Sequence, residues 1–335
     1  MKEAMYYDKL ENLKVRCKLC PHNCRLGSGK TGICGVRRNV DGILYSLIYG
    51  ETSSTHPDPI EKKPLYHFIP GSRAMSFGTV GCNFKCDFCQ NSSISQADVE
   101  RSSLMEITPK ETVRMAKRAG CASIAWTYNE PTIWYEFTYD SSKLAHEAGI
   151  KNIYVTNGFI NPEPLKNISP YLDAMNIDIK SFSEDFYHKI AGGRLNEVLD
   201  TCKLARDLNI HIELTYLVIP KLNDEAGEIE QYLHWVLREL GPDIPLHFSA
   251  FHPDFKMTDR ERTPTSTLVN IYEQAKEMGL HYVFLGNVLA DRGANTYCPS
   301  CDKCVIKRSY MGLRKNRIKD GKCPKCKTAI KIIQS

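Results

Sequence analysis

The sequence predicts an α/β fold: a full or partial TIM-like (β/α) barrel over residues 75–292, preceded by a small Cys-rich element at 1–74 and followed by a zinc-ribbon or rubredoxin-like tail at 293–335. Three observations predict it. Apolar runs of strand length alternate with amphipathic helical stretches, the rhythm of a parallel sheet covered by helices. Of the 14 cysteines, four lie at 17–34, three at 82–89 and five at 298–326, and closely spaced thiols in a large chain read as metal sites rather than disulfides. Hydrophobic content of 42% and charged content of 25% are those of a globular protein. No apolar run approaches the ~18 residues of a membrane span, and residues 1–7 lack the apolar core of a signal peptide. A cytoplasmic protein with no membrane contact is expected.

In chain order, Cys17, Cys20, Cys24 and Cys34 come first, among glycine and proline turns. Four thiols on a loop-rich element suit a tetrahedral metal site, and zinc and a second iron–sulfur cluster both fit. Residues 43–49 are β-like, and the proline-rich stretch 56–64 reads as a linker into the main domain. The first barrel strand, 75–80, ends at Gly81-Cys82. A helix follows at 108–120, with Thr108 as N-cap, Pro109 in the first turn and Glu111 completing a capping box. Strands are expected at 123–128, 151–156, 174–180, 211–219, 246–251 and 281–286, with a helix at 131–149. Ile229, Tyr232, Leu233, Val236, Leu237 and Leu240 share one helical face, and Leu268, Ile271, Tyr272 and Ala275 share another. Cys121 and Cys202 stand alone and read as buried small residues.

In such barrels the chemistry sits in loops after the strand C-terminal ends. After the first strand comes Cys82-x3-Cys86-x2-Cys89, with Phe88 before the last thiol. Cysteine thiolates are the usual ligands of iron–sulfur clusters. Three local thiolates on a four-iron cubane leave one iron open to a ligand. A zinc knuckle or three structural cysteines is the plainer alternative, although zinc sites want four ligands. Further polar groups follow the later strands. Glu130, after Asn129, either caps the next helix or receives an ammonium group. Thr156 and Asn157 suit a ribose or a carboxylate. Asp178 and Lys180 alternate and so share a face, as a rim salt bridge or as partners of a bound zwitterion. His252 is a ribose contact, a proton donor or a capping residue. No nucleophile or general base stands out.

The tail carries two C-P-x-C knuckles, Cys298/Cys301 and Cys323/Cys326, a strong metal-site signal with zinc favoured for a structural role. Residues 298–335 hold eleven Lys/Arg against two Asp, so +9 of the net +5 charge lies there and the remainder is −4. Lys307, Arg308, Arg314, Lys315, Arg317 and Lys319 between the knuckles offer a surface for nucleic acid phosphates or simply for water.

With Phe88 in place, the cysteine loop resembles that of the radical S-adenosylmethionine (SAM) superfamily. That resemblance implies a 4Fe-4S cluster on Cys82, Cys86 and Cys89. It also implies SAM chelated at the open iron, and reductive cleavage to a 5′-deoxyadenosyl radical that abstracts hydrogen. Asn129, Glu130, Thr156, Asn157, Asp178, Lys180 and His252 would form the SAM pocket. The motif order over the whole chain is similar to that of the radical SAM component of the AmmeMemoRadiSam system, a relative of the pyruvate formate-lyase activating enzymes. The matching stretches are 20–24, 32–37, 82–91, 127–131, 176–180, 248–253 and 298–301. The resemblance implies a reductant such as ferredoxin or flavodoxin and protein partners of that system. This chain departs from those activases in having no ferredoxin-like insert before the second strand and in carrying metal knuckles at both ends. A radical SAM enzyme modifying RNA through the basic tail, and a non-enzymatic metal scaffold or electron carrier, are the alternatives.

Overall fold

One eight-stranded sheet organises the computed structural model, which describes residues 1–290, 292–309 and 312–334. Its strands are β1 (Ser54–Pro59), β2 (Arg73–Gly78), β3 (Ser123–Trp126), β4 (Lys151–Thr156), β5 (Ala174–Asp178), β6 (His211–Val218), β7 (Leu246–Ala250) and β8 (Val283–Gly286). They lie in chain order across the sheet. From β2 to β8 all neighbours are parallel, and β1 adds an antiparallel edge to β2. Each of the seven expected strands is present, most of them shorter than expected. β1 and β8 do not pair, so the barrel is partial, not closed. The helices are α1 (Pro109–Arg118), α2 (Tyr135–Glu147), α3 (Pro162–Ile168), α4 (Leu195–Asp207), α5 (Ala226–Glu239) and α6 (Thr265–Glu277). Thr108 and Glu111 form the expected capping box of α1. The helix expected from 131 opens as a 3-10 turn, Pro131–Trp134, before α2. None of the described helices is long and apolar enough to cross a membrane.

Strand alternation explains the layering. Trp126 and Tyr154 point outward onto α2: Trp126 packs edge-on against Phe137, and the Tyr154 hydroxyl lies 2.6 Å from Thr138 Oγ1. Tyr216 likewise meets Tyr232 of α5. Apart from Ile153, the inward set near the plug is small or polar: Ala74, Ser76, Ala125, Ala174, Asn176, Glu213, Thr215 and His247. Residues 60–69 fill that interior, with Ile60, Leu65, Phe68 and Ile69 buried against Ala74, Ala125, Ile153 and Ala174. Glu213 holds this plug, accepting from the backbone N–H of Tyr66 (2.9 Å) and of His67 (2.7 Å).

The sheet does not begin at the expected boundary of residue 75. β1 overlaps the stretch expected to be a linker, and its prolines, Pro57 and Pro59, are tolerated because it is an edge strand. The N-terminal residues shape small antiparallel sheets, and their Val15, Leu19, Val36 and Leu44 join the same buried cluster as the barrel helices. A buried two-pronged ion pair fastens them, Arg37 Nη1 and Nη2 donating to Glu136 of α2 at 3.0 and 2.9 Å. The tail packs on β8: Tyr282 and Phe284 meet Val305, Ile306 and Cys323 in one cluster. Ile333 bridges to Phe68 of the plug, so the tail lies along the open seam of the barrel. Tyr310, Met311 and Ser335 of the expected tail lie outside the described residues.

Candidate active site

The Cys82–Cys89 loop leaves the C-terminal end of β2 and is tied down on every side. Gly81 N–H donates to Ile94 O, Lys85 N–H to Ala191 O and Asp87 N–H to Ile190 O. Phe84 and Phe88 are buried anchors, Phe88 against Phe186. Asn83, absent from the sequence expectations, is the inner peg: its Nδ2 donates to Phe159 O at 2.9 Å, and its Oδ1 accepts from Asn157 Nδ2 at 2.8 Å. The signal available for it was a small amide between two sharp turns.

The three thiols have few hydrogen-bond partners. Cys82 Sγ receives the Phe84 N–H at 3.3 Å, Cys86 Sγ lies 3.8 Å from Ala191 O, and Cys89 Sγ lies 3.1 Å from Ser95 Oγ. Burial pushes Cys86 up to about 12 and Cys82 well above the usual thiol range. Such thiols ionise only when a metal takes the proton's place. Among the described residues, these three sulfurs do not all lie within 4.8 Å of one another, and no other Cys, His, Asp or Glu completes such a group with them. Three thiolates on a four-iron cubane leave one corner without a protein ligand, and this donor set fits a cluster of that kind.

The polar strand ends converge on this loop, though not all as expected. Asn129 accepts from Thr79 N–H (3.1 Å) and donates to Gly81 O (2.9 Å), bracing the loop's entry. Glu130 is 2% exposed. Its oxygens accept from Thr132 N–H, Thr156 Oγ1 and Asn157 N–H at 2.9, 2.7 and 2.8 Å. Glu130 thus caps the 3-10 turn and ties the end of β3 to that of β4. Burial raises its pKa, against these hydrogen bonds. Thr156 is engaged in the same knot. Asp178 and Lys180 pair at 2.8 Å, and Lys180 Nζ stands 6.0 Å from the Phe88 ring centre. Burial opposes the charge on Lys180, but the Asp178 carboxylate and the Cys86 thiol outweigh it and its pKa is raised. His252 is exposed, with Nε2 3.1 Å from Gln90 of the loop. Nearby Lys256 grips Asp87 at 2.9 Å.

A second polar cluster inside the barrel was hidden in the proline-rich stretch. Asp58 Oδ2 accepts from buried Lys63 Nζ (2.7 Å), Ser76 Oγ (2.9 Å) and Tyr128 Oη (2.7 Å). Burial disfavours its charge, yet these donors hold its pKa well below the carboxylate range.

Four of the other cysteines form a separate group. In the tail, the sulfurs of Cys298, Cys301, Cys323 and Cys326 all lie within 4.8 Å of one another, with Cys298–Cys326 at 3.4 Å and Cys301–Cys323 at 3.7 Å. Zinc bonded to sulfur at about 2.3 Å sets tetrahedral thiolates about 3.8 Å apart, so this quartet fits a single ion. Cys304 is not part of it. Arg308, expected on the basic surface, is instead buried, donating to Tyr66 O, Ala294 O and Thr296 Oγ1. Lys307, Arg314, Lys315 and Lys319 are exposed.

The Radical SAM superfamily model matches residues 77–235, which span the cysteine loop and every strand end from β2 to β6. The uncharacterized protein MJ0808 of Methanocaldococcus jannaschii is 48% identical over 308 residues, covering 92% of both chains. MJ1632 of the same organism, provisionally named a glycyl-radical enzyme activating enzyme, is 24% identical and covers 65% of this chain and 82% of its own. A radical SAM methyltransferase from Sphaerobacter thermophilus is 16% identical, with a TM-score of 0.49 over 72% of this chain and 70% of that one. With a Cys-x3-Cys-x2-Cys loop at the end of the first parallel strand, inside the matched segment, this chain is an enzyme with a radical SAM domain and belongs to one family with MJ0808.

Proposed function

We propose that Cys82, Cys86 and Cys89 hold a 4Fe-4S cluster and that the chain cleaves SAM reductively to abstract hydrogen from a protein or another complex substrate. The observation that carries this reading is three poorly partnered thiols ringed by the ends of five parallel strands. When bound, the cluster supplies one electron and an open iron for the methionyl end of SAM. The chain's own residues do the rest. Asn83, Asn129, Asn157 and Glu130 fix the loop. Lys180 and Asp178 present opposite charges beside it, complementary to a zwitterion. Thr156 and His252 border the same mouth. A reductant such as ferredoxin or flavodoxin would deliver the electron, and zinc would fill the tail quartet. The order of motifs along the chain further supports a place in an AmmeMemoRadiSam system, with that system's proteins as partners.

The test is anaerobic reconstitution, reduction with dithionite and assay for 5′-deoxyadenosine. Wild type should release it, and a Cys82/Cys86/Cys89→Ala variant should not. A fully reconstituted wild type that releases none overturns the proposal. The exposed Lys307, Arg314, Lys315 and Lys319 favour a second substrate class, RNA. Their replacement by Glu should then abolish a salt-dependent tRNA shift; wild type that shows no shift removes this reading.

A further inference from the structure

Four thiols outside the cluster loop face one enclosed space. Cys17, Cys20, Cys24 and Cys34 line a single cavity of about 20 Å³ together with His22, Arg37 and Asn83. All four are free, and Cys17 and Cys34 are buried. Gly32 faces the thiols: a Cβ there would stand 3.7 Å from Cys24 Sγ and 3.8 Å from Cys34 Sγ. Arg37 supplies an independent sign of a ligand. It is 2% exposed, and its Nη atoms are taken by Glu136 and Met5 O, but its Nε has no hydrogen-bond partner. A buried guanidinium N–H left unpaired beside four sulfurs is costly unless an anionic group accepts from it.

We propose that these four thiolates hold one thiophilic divalent ion of the zinc class, and that this ion fastens the N-terminal element to the cluster loop. Four thiolates around a divalent ion carry a net charge of about −2, which gives Arg37 Nε its acceptor. The cavity of about 20 Å³ admits about one water-sized sphere, which matches one ion more closely than a four-iron cubane. The four sulfurs do not all lie within 4.8 Å of one another as the tail quartet does, so binding requires their side chains to rotate inward. The site abuts the loop directly. His22 Nε2 donates to Asn83 O at 2.8 Å, and Cys34 O would lie 2.6 Å from any Cβ at position 81.

Metal analysis of the full chain tests this, and the result does not depend on whether SAM is cleaved. Wild type should hold about two zinc ions per chain, one in the tail and one here. Cys20→Ser/Cys24→Ser should hold about one, and so should Cys323→Ser/Cys326→Ser. Should the first variant not fold, the second still decides, because its remaining ion must lie at the N-terminal site. Hydrogen exchange supplies a second readout: stripping that ion from the tail variant with a chelator should speed exchange at 17–37 and 81–91. One zinc per chain in wild type, or iron with inorganic sulfide on these four cysteines, overturns the proposal. A sample that retains both ions and yields no 5′-deoxyadenosine would instead count against the function proposed above.

Discussion

At Gly81 two constraints meet on one residue. Its φ is +85°, and an added Cβ would lie 2.6 Å from both Cys34 O and Val36 Cγ1. Gly81→Ala therefore strains the backbone by about 1–3 kcal/mol and pushes the loop off its N-terminal support. Bound iron should fall and the midpoint of thermal unfolding should drop; a variant with full iron and unchanged melting would show that the contact is slack. Lys180 pairs with Asp178, lies close enough to Cys86 to feel that thiol, and keeps part of its side chain open to solvent. Hydrogen bonds to charged groups contribute about 1.5–3 kcal/mol. Lys180→Met should thus weaken SAM binding about tenfold or more by calorimetry while cluster content stays near wild type; unchanged affinity would remove Lys180 from the pocket.

The elements are held in register by polar struts as much as by apolar faces. β6 is the clearest case. Its Glu213 lies inside the barrel and accepts from His211 at 3.1 Å, from His247 of β7 at 2.6 Å and from two backbone N–H groups of the plug. Burial works against its charge, but the two histidines hold its pKa well below the carboxylate range. Glu213→Gln turns an acceptor of four donors into a group that itself donates. Breaking one side of a buried charged pair costs about 3–5 kcal/mol. Urea unfolding of the variant should show a loss of that size, and a loss below about 1 kcal/mol would mean the strut is not needed. The first half of the loop of 60–69 that Glu213 secures fell in the expected linker of 56–64, because its prolines and charges mask its apolar positions. Ile60, Leu65, Phe68 and Ile69 carry no period of their own, since they plug a tube rather than cover a sheet.

On the scale of the whole molecule, the tail and barrel meet at His67. The His67 ring is buried between Lys331 O (2.7 Å) and Thr296 Oγ1 (3.2 Å), and burial lowers its pKa to about 3. The folded value lies below the ordinary value of 6.5. Its contribution is therefore complete above about pH 6.5 and is lost as pH falls toward 3. At pH 5 the loss is about 2 kcal/mol. Limited proteolysis should release the tail progressively below pH 6.5, and His67→Asn should flatten that dependence; a tail equally resistant at pH 5 and pH 7.5 would contradict it. Between tail and barrel a cavity of about 420 Å³ opens on His247, Ser249, Tyr66, Glu61 and Arg308. The sequence by itself determined the strand–helix rhythm, the helix caps and the three cysteine clusters, because periodicity, capping and ligand spacing are local properties. It could not decide whether the barrel closes, since β1 and β8 lie at opposite ends of the barrel segment and only packing sets their distance. Nor could it show that Glu130 ties the ends of β3 and β4 together, or turn Arg308 inward from a basic run. Those outcomes depend on which groups are brought within about 3 Å across 27 to 242 residues of chain, and only the tertiary structure decides that.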